Sequence, residues 1–205
     1  NCAPAVSADG STVYVAVSNG KNNAAGYLLA LNSSTLAYKS RVRLKDPKSG
    51  LDAWLSDDGT ASPMIGPDGD VYYGILENPF ASNNARGWLL HFDATLNQKG
   101  APGAFGWDDT ASIVPSYAVP SYGGTSTYLI CTKYNNYGNY GTGLNQIAIL
   151  DPNDSFLEPI SNFTTMAEVR TVRGPTPDPN FPTLPGAVRE WCINSAAVDP
   201  YSRSV

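Results

Sequence analysis

The feature that most constrains this chain is a pair of segments that recur along it. The first combines an Asp-Gly turn with a β-branched run, in Pro4-Ala-Val-Ser-Ala-Asp-Gly-Ser-Thr-Val-Tyr-Val and Pro63-Met-Ile-Gly-Pro-Asp-Gly-Asp-Val-Tyr-Tyr, with a looser copy from Asn194. The second begins at Gly26, Gly87 and Asn145. Copies about 60 residues apart indicate a repeat architecture, in which each unit is one supersecondary element packed on the next.

Each unit divides into short strands separated by turns. Alternating β-branched and aromatic residues favour strands, and Gly10 can take the positive φ that a tight hairpin requires. The predicted strands are 3–6, 12–17, 26–31 and 38–44 in the first unit, 71–76, 89–93 and a weak 98–105 in the second, and 114–117, 127–133, 146–150 and 168–172 in the third.

Four short antiparallel strands in a unit of this length are typical of a propeller blade. We therefore predict an all-β fold, a β-propeller built of four-stranded antiparallel blades, with about three blades present. One segment, 1–205, divides into blades at about 2–60, 61–110 and 111–192 and the start of a fourth at 193–205. A β-sandwich with accidental similarity is the alternative. Because closed propellers need about four blades or more, we expect part of a larger propeller, with the remaining blades on this polypeptide or on another chain.

Composition narrows the classes of partner and the compartment. A net charge of −5 provides no basic footprint for nucleic acid. No apolar run approaches the roughly 18 residues of a membrane span. Charged residues make up only 15% of the chain, and Tyr, Asn, Ser and Thr are abundant. This composition favours an extracellular or periplasmic location.

The blade residues Asp-Gly-x-Val-Tyr followed by Gly-Tyr-Leu-Leu-Ala-Leu-Asn resemble those of the quinoprotein-like β-propellers, the superfamily of PQQ-type repeats. The resemblance spans nearly the whole chain at the level of the blade motif. It implies either a quinone-dependent dehydrogenase or a non-catalytic periplasmic scaffold. The Trp-ended motif Ala-x-Asp-x-x-Thr-Gly-x-x-x-Trp and adjacent cysteines are absent, so no cofactor is predicted, with calcium or PQQ as the alternatives.

One face of the predicted blades carries the long loops. In blade topology the loops between second and third strands, and those between blades, share a face. Here these are 18–23, 77–84 and 134–141, with blade junctions at 45–59, 106–110 and 174–191. The loop 134–141 is rich in Tyr, Asn and Gly, which is typical of binding loops. Long loops on a rigid scaffold commonly carry binding residues, so we expect this face to be functional.

The blade junctions carry paired charges and Trp residues. The acidic pairs could bind calcium or supply an acid and a base, or simply cap turns. The Trp rings could stack on a quinone or a sugar, or wedge between sheets. The sequence does not identify any metal ligands, and no catalytic residue is predicted. The candidate binding face comprises Trp54, Asp57, Asp58, Trp107, Asp108, Asp109, Tyr134, Asn136, Tyr137, Tyr140, Arg189, Glu190 and Trp191.

Two functions remain open on the sequence. The first is a secreted or periplasmic, non-catalytic β-propeller scaffold that binds a protein or glycan through its loop-rich face. The alternative is a quinone- or metal-dependent oxidoreductase whose site is completed outside this chain. His91 is the only histidine and is predicted to be a strand residue. No second histidine exists to complete a catalytic triad, which argues against a hydrolase. Cys131 is predicted to pack as a small hydrophobe, and a disulfide between Cys2 and Cys192 is not expected.

Overall fold

Three antiparallel sheets make up the fold. The structure is a computed structural model that describes residues 2–20, 23–56, 60–190 and 195–204. The prediction of an all-β, antiparallel fold is confirmed, because the described residues contain eleven strands and no α-helix. Asp57, Asp58, Trp191 and Cys192 lie outside the described residues. Among those described, no helix is long and apolar enough to cross a membrane.

The first sheet is a four-stranded meander. Its strands are β1 (Ala5–Val6), β2 (Thr12–Ser18), β3 (Gly26–Asn32) and β4 (Tyr38–Arg43), hydrogen-bonded in chain order. Gly10 in the first hairpin has a φ of 71°, which is the left-handed conformation that glycine adopts without strain. The predicted strands of this unit are confirmed to within two residues.

The second sheet has three strands in chain order, β5 (Met64–Ile65), β6 (Val71–Ile75) and β7 (Trp88–Phe92). The weak fourth strand predicted at 98–105 is not a regular strand. Only two isolated bridges hold this segment against β7, one of them between Leu89 and Gly103. Glycines and a proline interrupt the segment, and such residues cannot sustain a hydrogen-bonded ladder.

The third sheet contains β8 (Ser112–Pro115), β9 (Tyr128–Lys133), β10 (Gln146–Glu158) and β11 (Phe163–Arg173), again in chain order. The inner strand predicted at 114–117 starts two residues earlier and gives way to a 3₁₀ turn at Ser116–Ala118. The last two strands are longer than predicted, because register shifts let their pairing continue past the repeat.

The second sheet lies between the other two. Every residue of β6 and β7 is buried, so both faces of this sheet are covered. Tyr72 reaches the third sheet, where its hydroxyl lies 2.6 Å from that of Tyr128. Towards the first sheet, Tyr14 donates a hydrogen bond of 2.8 Å to the carbonyl of Ala94, in the loop after β7. A single hydrophobic cluster spans all three sheets, and each large side chain fully buried there contributes about 1.5–3 kcal/mol.

The burial of individual strand residues can also be compared with the predictions. His91 lies in β7, as predicted, and both His91 and Trp88 are fully buried there. Cys131 is buried in β9 and is a free thiol, and burial raises its pKa to about 12. The packing predicted for Cys131 is confirmed. Cys2 is also a free thiol.

Candidate functional site

A cavity of about 490 Å³ lies among the long loops. We call it the loop-rich cavity. Its walls come from the β2–β3 loop, the β6–β7 loop, the β9–β10 loop, the two junctions that follow β4 and β7, and the Pro-rich arm 174–190. The size is in the range of pockets that hold small ligands. Four of the predicted face residues line it, namely Trp107, Asp108, Tyr137 and Tyr140.

Aromatic rings form the rim of the cavity. Phe80 and Tyr140 meet edge to face with ring centroids 5.2 Å apart, and each side chain is nearly half exposed. Trp54 does not line the cavity but lies parallel to Phe80, with centroids 6.4 Å apart and planes 16° apart. Phe181, from the Pro-rich arm, completes the aromatic lining. Exposed rings held by other rings can stack on a ligand without first being ordered.

Three polar atoms of cavity-lining residues are buried without a hydrogen-bond partner in the described part of the chain. They are the indole Nε1 of Trp107, which is a donor, and the acceptors Oδ1 of Asp108 and Oδ1 of Asn145. An unpaired buried polar atom costs about 1–3 kcal/mol, so native proteins seldom keep three together.

The second carboxyl oxygen of Asp108 is paired within the protein. Lys133 Nζ lies 2.7 Å from Asp108 Oδ2, and both side chains are largely removed from solvent. The same ammonium lies 5.5 Å from the centroid of the Phe105 ring and 5.8 Å from that of Tyr137. Charge pairing and cation–π attraction together hold Lys133 beside the cavity. The Tyr137 hydroxyl also donates to Oδ2, at 3.4 Å, so Oδ1 is the carboxyl oxygen left unpaired and buried.

Asp109 lies beside the cavity but does not line it. The main-chain NH of Lys133 and the hydroxyl of Thr132 each donate a hydrogen bond of 2.8 Å to Asp109 Oδ2. Burial outweighs these bonds and raises the pKa of Asp109 to about 6. The side chain is nearly inaccessible, so it sets the position of β9 beneath the cavity rather than contacting a ligand.

Four other predicted residues lie away from the cavity lining. Tyr134 extends the β9 ladder into the core, and its ring lies 5.7 Å from the Arg86 guanidinium carbon. Asn136 joins two loops, since its side chain bonds Thr142 and accepts from Asn84. The other two lie on the Pro-rich arm. The main-chain NH of Arg189 donates a hydrogen bond to the Thr176 carbonyl, and the Thr176 NH donates one to the Glu190 carboxylate.

Several cavity residues are missing from the sequence-predicted set. Phe80 lies in the flagged 77–84 loop, whereas Asp178 and Phe181 lie in the Pro-rich arm. Asn145 had a specific signal, because it occupies the repeat position held by Gly26 and Gly87. At both glycines a Cβ would collide with the facing strand's backbone. At position 145 the Asn side chain instead donates a 2.7 Å bond to the Val188 carbonyl and leaves Oδ1 unpaired.

The lining of the loop-rich cavity differs from what the cofactors implied by the family resemblance would need. PQQ is a polyanionic quinone, but the titratable side chains in the lining are carboxyls and tyrosines, without Lys or Arg. The cavity does not fit such an anion. Among the described residues, no three or more His, Cys, Asp or Glu side chains converge as metal ligands. Asp57 and Asp58 are not among the described residues.

Neither a scan against protein-family models nor a search of curated proteins gave a match to this chain.

Proposed function

We propose that this protein is a secreted or periplasmic, non-catalytic β-propeller scaffold that binds a glycan through its loop-rich face. The observation that carries this proposal is the loop-rich cavity, where a buried donor and two buried acceptors lie unpaired between aromatic rings. A pyranose has hydroxyls that both donate and accept, and a C–H face that packs on rings. Low charge and abundant polar uncharged residues support an extracellular or periplasmic location.

The propeller arrangement is part of this proposal. Each sheet runs from its first strand at one edge to its last at the other, which is blade order. The first strands of the first two sheets, β1 and β5, lie beside each other. The second sheet is covered on both faces, as an internal blade is. Further blades, from this polypeptide or from another chain, would cover the outer faces of the first and third sheets.

A glycan suits the cavity better than a protein surface does. A protein ligand needs a broad interface of about 800 Å² per partner with an apolar centre. Here three of the unpaired polar atoms belong to residues lining one cavity, and the half-exposed rings Phe80 and Tyr140 lie at its rim. This arrangement matches recognition of a small polar unit with one apolar face.

Isothermal titration calorimetry tests this function with neutral, N-acetylated and amine-bearing trisaccharides. We expect at least one of them to bind and Tyr140→Ala to weaken that binding about tenfold, because a stacked ring contributes about 1.4 kcal/mol. Tyr117→Ala is the control, since Tyr117 is also an exposed tyrosine but lies in the 3₁₀ turn away from the cavity. Failure of every saccharide to bind would overturn the glycan function and leave a protein as the candidate ligand.

A further inference from the structure

We propose that the preferred ligand of the loop-rich cavity is an amino sugar with a free, protonated amine. This inference rests on the proposed glycan function and specifies its ligand. Three features of the cavity carry it, namely the balance of charge, the excess of acceptors over donors, and the aromatic lining.

The charge of the cavity is unbalanced. Two carboxyl side chains line it, Asp108 and Asp178, and no Lys or Arg does so among the described residues. Lys133 pairs with Asp108 from outside the lining. Asp178 is buried, accepts a 2.9 Å bond from the main-chain NH of Asn180, and has no ion pair within the described chain. Within the described residues one carboxylate therefore lacks a compensating cation, which favours a positive ligand and disfavours acidic sugars.

Acceptors outnumber donors among the unpaired atoms. Oδ1 of Asp108 and Oδ1 of Asn145 both require a donor, whereas only Nε1 of Trp107 requires an acceptor. An ammonium supplies three donors and no acceptor, and a hydroxyl supplies both. A sugar carrying an amine beside its hydroxyls matches this set. A ligand with an amine alone would leave the Trp107 indole unpaired.

The rings favour a cation and a sugar equally well. Phe80, Trp107, Tyr137, Tyr140 and Phe181 all contribute to the lining. An ammonium over an aromatic face is attracted by the negative face of the ring, and more strongly as the ammonium is desolvated. The protein already uses this geometry at the cavity, where Lys133 Nζ lies near the Tyr137 ring and beside Asp108. A ligand amine beside Asp178 would repeat that pairing of ring and carboxylate.

Calorimetry with three matched trisaccharides tests the inference. Glucosamine, N-acetylglucosamine and glucose trimers differ in the amine while sharing the ring and the linkage. We expect the glucosamine trimer to bind at least about tenfold more tightly than the other two, since a desolvated charge contact is worth about 1.4 kcal/mol or more. We also expect this advantage to shrink in high salt, where charge pairing is screened.

Asp178→Asn separates charge from shape. The amide keeps an oxygen for the Asn180 NH, so the fold should persist while the advantage of the amine trimer over the neutral trimers falls several-fold. Asp154→Asn is the control, because Asp154 is exposed in β10 and absent from the cavity lining. Equal binding of all three trimers, or an unchanged preference in Asp178→Asn, would overturn the inference but leave the glycan function standing. Absence of any saccharide binding would overturn both.

Discussion

Two groups of buried polar side chains differ in what completes their hydrogen bonds. In the first group, the Arg86 guanidinium donates to both carboxyl oxygens of Glu158 and to the side-chain oxygen of Asn83. Arg86 and Glu158 are each about 1% exposed. In the second group, the loop-rich cavity, atoms of Trp107 and Asn145 have no partner. Protein atoms satisfy the first group, whereas the described protein atoms leave the second group unpaired.

This difference separates a structural role from a binding role. The Arg86–Glu158 pair joins the β6–β7 loop to the end of β10, so it fixes how two sheets meet. An unpaired buried atom indicates a ligand only where there is space for one. His91 illustrates the limit, because its Nδ1 is also unpaired and buried but is packed closely against Gly100. The loop-rich cavity combines unpaired atoms with available volume.

The largest expected effect comes from breaking the paired group. Arg86→Met should lower the free energy of unfolding by about 3–5 kcal/mol, because it leaves Glu158 buried without its counter-ion. Although burial opposes ionisation of Glu158, Arg86 and the Ser161 hydrogen bonds outweigh it and lower its pKa. Urea denaturation at neutral pH measures the change.

The double variant Arg86→Met with Glu158→Gln is the control for that prediction. Replacing both charges should recover much of the lost stability, because no buried charge then remains unpaired. A loss below about 1 kcal/mol in Arg86→Met would show that water reaches Glu158. The contrast between the two groups would then fail.

A smaller effect is expected beside the cavity, at Asp109. Its folded-state pKa of about 6 exceeds the ordinary value of 3.8. Between these pH values the folded protein binds more protons than the unfolded chain. The contribution of Asp109 is therefore fully present below about pH 4 and is lost as pH rises towards 6. Asp109→Asn should remove this slope, with a difference of roughly 2–3 kcal/mol across the window.

Unfolding free energies of wild type and Asp109→Asn, measured by urea denaturation from pH 4 to pH 7, test this prediction. The amide keeps an oxygen for the Lys133 NH and the Thr132 hydroxyl. Asp154→Asn, at an exposed position, should retain the wild-type slope. A parallel pair of curves for wild type and Asp109→Asn would mean that another group sets the pH dependence.

Sequence predicted the sheets better than the site, for physical reasons. Strands such as β2 and β3 are local, because alternation of side chains and an Asp-Gly turn determine them. Which residues line the cavity depends on which loops come together in the folded chain. Phe181 lies about 40 residues from Tyr140 in the chain, yet both line one cavity, and no local pattern encodes that approach.

Two residues show how the structure differs from the sequence-based expectation in the loops. Tyr134 was predicted for the binding face because it begins a Tyr-rich loop, but its NH still bonds the Gln146 carbonyl and it stays in the core. Asn145 was not predicted as a site residue, although it stands where the other two copies of the segment have glycine. A departure from a repeat marks a position released from the packing that the other copies require, and such positions are worth testing as binding residues.

The smallest effect on stability is expected from a cavity donor. Trp107→Phe should change the free energy of unfolding by less than about 1 kcal/mol, because the indole NH has no hydrogen bond to lose. The same substitution should weaken saccharide binding about fivefold, since one ligand hydrogen bond of about 1 kcal/mol disappears. Urea denaturation and calorimetry measure the two quantities on the same protein.

Trp88→Phe provides the matched contrast for that last prediction. The Trp88 indole donates a 3.0 Å bond to Asp46 Oδ2 and is fully buried, so its loss should cost about 2–3 kcal/mol and leave a buried carboxyl oxygen with one bond fewer. Binding should change little, because Trp88 does not line the cavity. If Trp107→Phe destabilised the protein as much as Trp88→Phe and spared binding, the Trp107 indole would be a packing element. The unpaired atoms of the cavity would then indicate no ligand.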